Sequence, residues 1–89
     1  MSADGGQQKA NIHERVVSVL REVLSLEPDE PAISPETKFI EDLGAESLDM
    51  AQFVMSLEEE FEQSIEDEQL MGLKTVQDAV DYIYKRVTV

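Results

Sequence analysis

The chain has 89 residues, no cysteine, and 20 acidic residues against 7 basic ones, for a formal charge of −13. That length makes one domain with a modest core and a small stability margin. The missing cysteine removes disulfides and thiolate metal ligands, and the scarcity of Lys and Arg argues against phosphate-rich partners such as nucleic acid and against anionic membrane surfaces.

The N-terminus MSADGGQQKAN lacks the charged-then-apolar order of a secretory leader and the Arg-rich amphipathy of a transit peptide. Residues 1–10 are expected to form a polar, flexible tail, with one domain over 11–89. No apolar run reaches the roughly 18 residues of a membrane span, and the expected location is the cytoplasm. Ile12, Val16, Val17, Leu20, Val23 and Leu24 recur at spacings of three and four. This predicts an amphipathic helix from about Asn11 to Ser25, with Asn11 as its cap. His13 falls off the apolar stripe and reads as a surface histidine rather than a ligand or base.

The segment EPDEPAISPET, Glu27 to Thr37, carries three prolines and excludes both a regular helix and a central strand. It predicts a long inter-helix loop, pinned to the core by Ile33 and Phe39. The turn Leu43-Gly44-Ala45 follows, glycine allowing a backbone angle that other residues resist.

A second helix is expected from Ser47 to about Glu62, with Phe53, Val54, Leu57 and Phe61 facing the core. Ser47 sits at its start, where the plain reading is an N-cap. Asp49 in the first turn suits the helix dipole. Glu66 to Leu70 is expected to make a short helical turn, broken by Gly72. Thr75 opens the last helix, and the run TVQD resembles a capping box with Asp78 in the acidic place. Val76, Ala79, Val80, Ile83 and Val87 form its apolar face, and Lys85 and Arg86 suit its C-terminal dipole. No strand-like alternation and no repeat is visible. The fold class is therefore all-α: a small bundle of three principal helices plus a short third one, four in total.

Ser47 lacks the neighbours of a nucleophile. A catalytic serine needs a base in reach, and the one histidine lies on the first helix, with Lys38 and Lys74 the nearest lysines. No nucleophile elbow is present. No catalytic residue is assigned, and an independent hydrolase ranks last. If Ser47 carries chemistry, it is as a modification acceptor.

Leu48, Ala51 and Met55 share the serine's side of the helix, rimmed by Glu46, Asp49, Glu58 and Glu59. Apolar groups inside a charged edge read as a docking surface. For Leu48, packing against the proline loop is an equal alternative. Between Lys38 and Lys74 stand eleven acidic residues and no basic one. Like charges so close repel, and partners carrying basic patches account for the arrangement better than a solvated face of mixed sign. The EF-hand pattern is absent, so no metal site is assigned; weak divalent binding that relieves repulsion is compatible.

The stretch FIEDLGAESLDMAQFVMSLEEEFE resembles the modification-site segment of the acyl carrier proteins of fatty acid synthesis. The likeness extends back through IHERVVSVL and forward through SIEDEQL and KTVQDAVDYI. It implies a four-helix bundle with the short helix third, and a monomer without catalytic activity. It implies that Ser47 is esterified by 4'-phosphopantetheine, delivered from coenzyme A by a phosphopantetheinyl transferase. The arm's thiol would carry acyl chains as thioesters between fatty acid synthesis enzymes, whose basic patches recognise Glu46, Leu48, Asp49, Ala51, Met55, Glu58 and Glu59. Departures from the family pattern are Glu46 where Asp is usual, Gln52 where an acid is common, Glu66 where proline is usual, and a longer loop before Lys38. They point to a specialised carrier. A carrier for polyketide, lipid-modifying or aminoacyl-loading enzymes, and an unloaded interaction subunit, remain as alternatives.

Overall fold

The computed structural model describes residues 5–29, 31–66, 68 and 72–88. Among these residues three helices form: α1 over Gly5–Val23, α2 over Ser47–Phe61 and α3 over Val76–Thr88. The expected short helix at Glu66–Leu70, and Met71 beside it, lie largely outside the described residues, so the described architecture is all-helical with three helices rather than four.

Helix α1 begins at Gly5, not at Asn11, and Asn11 is therefore an exposed interior residue instead of a cap. The added length lies along α3. Lys9 pairs with Asp81 at 2.9 Å and sits 5.2 Å from the centre of the Tyr84 ring. Both contacts hold a polar turn that apolar periodicity could not reveal. At its other end α1 closes with two backbone bonds, Ser25 N to Glu22 O at 3.3 Å and Leu26 N to Arg21 O at 2.8 Å. This is the Schellman arrangement, with Ser25 in the left-handed position at φ 56° where glycine is usual.

The core gathers one face of each helix. Ile12, Val16, Val19 and Leu20 come from α1, Met50, Phe53, Val54, Leu57 and Phe61 from α2, and Val76, Ala79, Val80 and Ile83 from α3. These are periodic positions of the sequence with Val19 and Met50 added, while the expected Val17, Val23, Leu24 and Val87 pack only half-buried against them. Helix α1 packs against both others. Phe39, fully buried, brings the loop inward and stands 5.1 Å from the Phe53 ring, tilted by 56°. Ile33 packs half-buried against the same cluster, as expected of a loop anchor. Burying one such ring contributes about 1.5–3 kcal/mol, which is large for a domain this small.

The proline loop is tied at two places. The Arg21 guanidinium donates to the carbonyls of Glu27 at 2.8 Å and Pro31 at 2.9 Å. Thr37, the buried polar residue of the core, accepts from the Ser34 amide at 2.9 Å. Just beyond, Lys38 forms an isolated antiparallel bridge with Thr75. Phe39 N donates to Lys74 O and Val76 N to Thr37 O, both at 3.0 Å. This pairing joins the two non-helical segments beside the N-termini of α2 and α3. Helix α3 is capped as its sequence predicts. Asp78 N donates to Thr75 Oγ1 at 3.1 Å, and the Asp78 carboxylate accepts from the amides of Lys74 and Thr75.

Candidate functional site

The site starts from a tight turn. Asp42 N and Leu43 N donate to Lys38 O, Gly44 N to Ile40 O, and Ala45 N to Phe39 O. The Asp42 carboxylate closes the turn by accepting from the Lys38 amide at 2.8 Å. Gly44 takes φ 72°, the left-handed angle expected there. Ala45 is buried, which anchors the exit of the turn and leaves the next residues at the surface.

Glu46 occupies the cap position of α2, with extended backbone at φ −99° and ψ 172°. Its amide donates to the Asp49 carboxylate at 3.0 Å, and its carbonyl accepts from Met50 N at 2.9 Å. Ser47 is thus the first helical residue and not the cap. The physical reason is that Asp49, three residues after Glu46, satisfies the end of the helix from inside. The serine hydroxyl is released from the capping role that position alone had suggested. Ser47 is exposed, and no hydrogen bond from a described residue engages it.

Beside Ser47 lies an open groove of about 800 Å³, lined also by Ile40, Met50 and Leu73 and by the polar residues Lys38, Glu41, Lys74, Thr75 and Asp78. Its buried lining residues, Met50 and Leu73, are apolar, and most of its exposed ones are polar. The first amides of α2 and the positive end of its dipole face the position an anion on Ser47 would occupy. An exposed, unengaged hydroxyl at such an end, next to a half-apolar groove, fits a phosphate ester carrying a long flexible chain.

On the outer face, Leu48 is 70% and Met55 61% exposed. Exposure of that extent speaks against the alternative of Leu48 packed on the proline loop. Ala51, half-buried, lies between them on the same side of the helix. Ile40, 62% exposed, completes the set of exposed large apolar residues among those described. Sequence reading passed over Ile40.

The carboxylates divide in role. Glu46 and Glu59 are exposed. Asp49 spends an oxygen on the Glu46 amide, and Glu58 accepts from Ile65 N at 2.7 Å, fastening the chain after α2. Glu60 pairs with Arg15 at 2.8 Å on the opposite side, where the Arg15 guanidinium also lies 4.3 Å from the Phe61 ring. His13 lies away from Ser47, in a shallow groove between α1 and the proline loop. Among the described residues, no three His, Asp or Glu side chains converge as a metal site would require. No helix there is long and apolar enough to cross a membrane.

Residues 14–83 match the family described as phosphopantetheine attachment site. The chain is 45% identical over 75 residues to an acyl carrier protein of Bdellovibrio bacteriovorus, an alignment spanning 84% of this chain and 94% of that one. Two solved structures share the fold. A candidate acyl carrier protein of Anaplasma phagocytophilum superposes with a TM-score of 0.78 at 32% identity, over 86% of this chain and 89% of the other. A candidate acyl carrier protein of Mycobacterium tuberculosis gives 0.72 at 26% identity, over 88% and 99%.

Proposed function

The chain belongs to the acyl carrier proteins, whose domain is the attachment site of covalent 4'-phosphopantetheine, and from that premise we propose that Ser47 is the residue that takes the arm. The observation that carries this assignment is the exposed, internally unengaged Ser47 hydroxyl at the first residue of α2, at the mouth of the groove. We assign this protein the part of substrate in the loading reaction, with the base supplied by the transferase. Ser47 Oγ loses its proton and bonds to the phosphorus of coenzyme A that bears the pantetheine. The pyrophosphate P–O bond breaks, and the nucleotide half leaves. The thiol of the bound arm then holds acyl groups as thioesters.

Recognition by enzymes is assigned to the face of α2 around the serine. Leu48 and Met55, with Ala51 between them and Ile40 beside the groove, offer an apolar centre, and Glu46, Asp49, Glu58 and Glu59 its anionic edge. A chain of net charge −13 attracts basic partners over distance, and an apolar patch with few large residues lets them leave again quickly. Both properties suit a shuttle that meets several enzymes per cycle. The pathway we assign is fatty acid synthesis, on the resemblance of the Ser47 segment and its Glu58-Glu59-Glu60-Phe61 run.

Incubation with coenzyme A and a phosphopantetheinyl transferase is expected to raise the intact mass by one phosphopantetheine, and Ser47→Ala to abolish the gain. A gain retained in that variant would refute the assignment. The thioester found on protein purified from its host tests the pathway.

A further inference from the structure

The acidic span has a feature that only the folded chain displays. Lys38 and Lys74 bound it, with eleven acidic residues and no cation between. Folding brings these two ends together. The bridge between Lys38 and Thr75, made by Phe39 N to Lys74 O and Val76 N to Thr37 O, sets the two lysines on adjacent backbone. Both are exposed, and both line the groove that holds Ser47. Their backbones are held by carboxylates, Lys38 N by Asp42 at 2.8 Å and Lys74 N by Asp78 at 3.0 Å. Their side chains stay available. The Lys38 ammonium makes one solvent-exposed contact, to Glu41 at 3.2 Å, and that of Lys74 makes no ion pair among the described residues.

We propose that Lys38 and Lys74 act as positioning residues that bracket the phosphodiester of the loaded arm, turning it over the groove rather than out into solvent. The inference rests on Ser47 being the attachment residue. A phosphodiester there adds a permanent negative charge next to Glu46 and Asp49, in a chain already strongly anionic. Repulsion from those carboxylates drives the arm away from α2. The Lys38 and Lys74 ammonium groups, which line the same groove, attract it the other way; the two carboxylates that line it with them are engaged, Glu41 with Lys38 and Asp78 with the Lys74 and Thr75 amides. The dipole of α2 favours the anion at the same place but sets no direction across the groove; the lysines do. The arm so turned starts above Ile40, Met50 and Leu73, the apolar lining of the groove. Lysine suits this work, as a flexible point charge that follows the phosphate without imposing a rigid fork.

The test uses the full chain converted to the loaded form with coenzyme A and a transferase. Mass analysis of the Ser47 peptide comes first. Absence of the arm from Ser47 refutes the attachment assignment itself, and this inference with it. With the arm confirmed there, the side-chain ammonium resonances of all lysines are compared before and after loading, at mildly acidic pH. Lys38 and Lys74 are expected to shift several-fold more than Lys85, which lies in the last turn of α3. In the double variant Lys38→Gln/Lys74→Gln, the phosphorus resonance of the arm is expected to narrow as the phosphate gains freedom, while Lys85→Gln leaves it unchanged. The pairing between the two segments uses backbone atoms only, so the double variant retains the fold. Equal shifts at the three lysines, or a phosphorus line unaltered in the double variant, would overturn the proposal.

Discussion

Substituting Gly44 by alanine isolates the backbone demand of the turn that presents Ser47. Gly44 has φ 72°, and a Cβ built there meets no atom within 4 Å. No steric clash contributes, so the cost is that of holding an L-residue in the left-handed region, about 1–2 kcal/mol. Alanine also reduces the freedom of the unfolded chain, which returns about 0.4–1 kcal/mol. The net expectation is a loss of about 1 kcal/mol, or roughly 4–8 °C in Tm for a domain of this size. Gly72 is the internal control. It is exposed, has equally open space and no left-handed φ. Gly72→Ala is therefore expected to be neutral or to stabilise by up to about 1 kcal/mol. Urea titrations of the wild type and both variants measure the difference. Equal effects of the two substitutions, or a neutral Gly44→Ala, would show that the turn does not require its left-handed glycine.

Ser25→Gly places the usual residue at the left-handed end of α1 and is expected to stabilise by about 0.5–1 kcal/mol, read from the same urea titrations. Asp81 tests a second contact. Its hydrogen bond from Lys9, aided by that from Gln77, holds its carboxyl below the ordinary 3.8 against the opposing effect of burial. A depressed carboxyl contributes stability above pH 3.8 that disappears as pH falls through its lower folded value. Both partners are about two-fifths exposed, so the stabilisation is limited by solvent to roughly 0.2–1 kcal/mol. The stability difference between wild type and Asp81→Asn should vanish in acid and shrink in high salt; a difference independent of pH would contradict the ion pair. Leu48→Glu and Met55→Glu, at exposed positions, should leave stability within about 0.5 kcal/mol. They should lower kcat/KM for loading by transferase about tenfold or more; unchanged loading would remove these side chains from the docking surface.

The contrast between Ser47 and Asn11 shows where periodicity suffices and where it does not. The apolar positions of α2 and α3 could be read in one dimension, because burial imposes the 3.6-residue repeat directly on side-chain chemistry. The TVQD cap was legible for a similar reason: both partners lie within one turn. Asn11 failed as a cap because α1 continues through a polar turn held from outside, by Asp81 and Tyr84 of α3. Ser47 failed as a cap because Asp49 does that work, a choice between two local partners that composition does not resolve.

By itself, the sequence determined the helical class, the faces of α2 and α3, the glycine turn and the serine at the start of the helix that follows it, since each depends on neighbours a few residues apart. Tertiary structure alone decided the length of α1, the exposure of Ile40, the groove beside Ser47 and the meeting of Lys38 with Lys74. Those features come from segments far apart in the chain, and their energies exist only once α1 has gathered the other helices and the backbone at Phe39 has paired with that at Lys74.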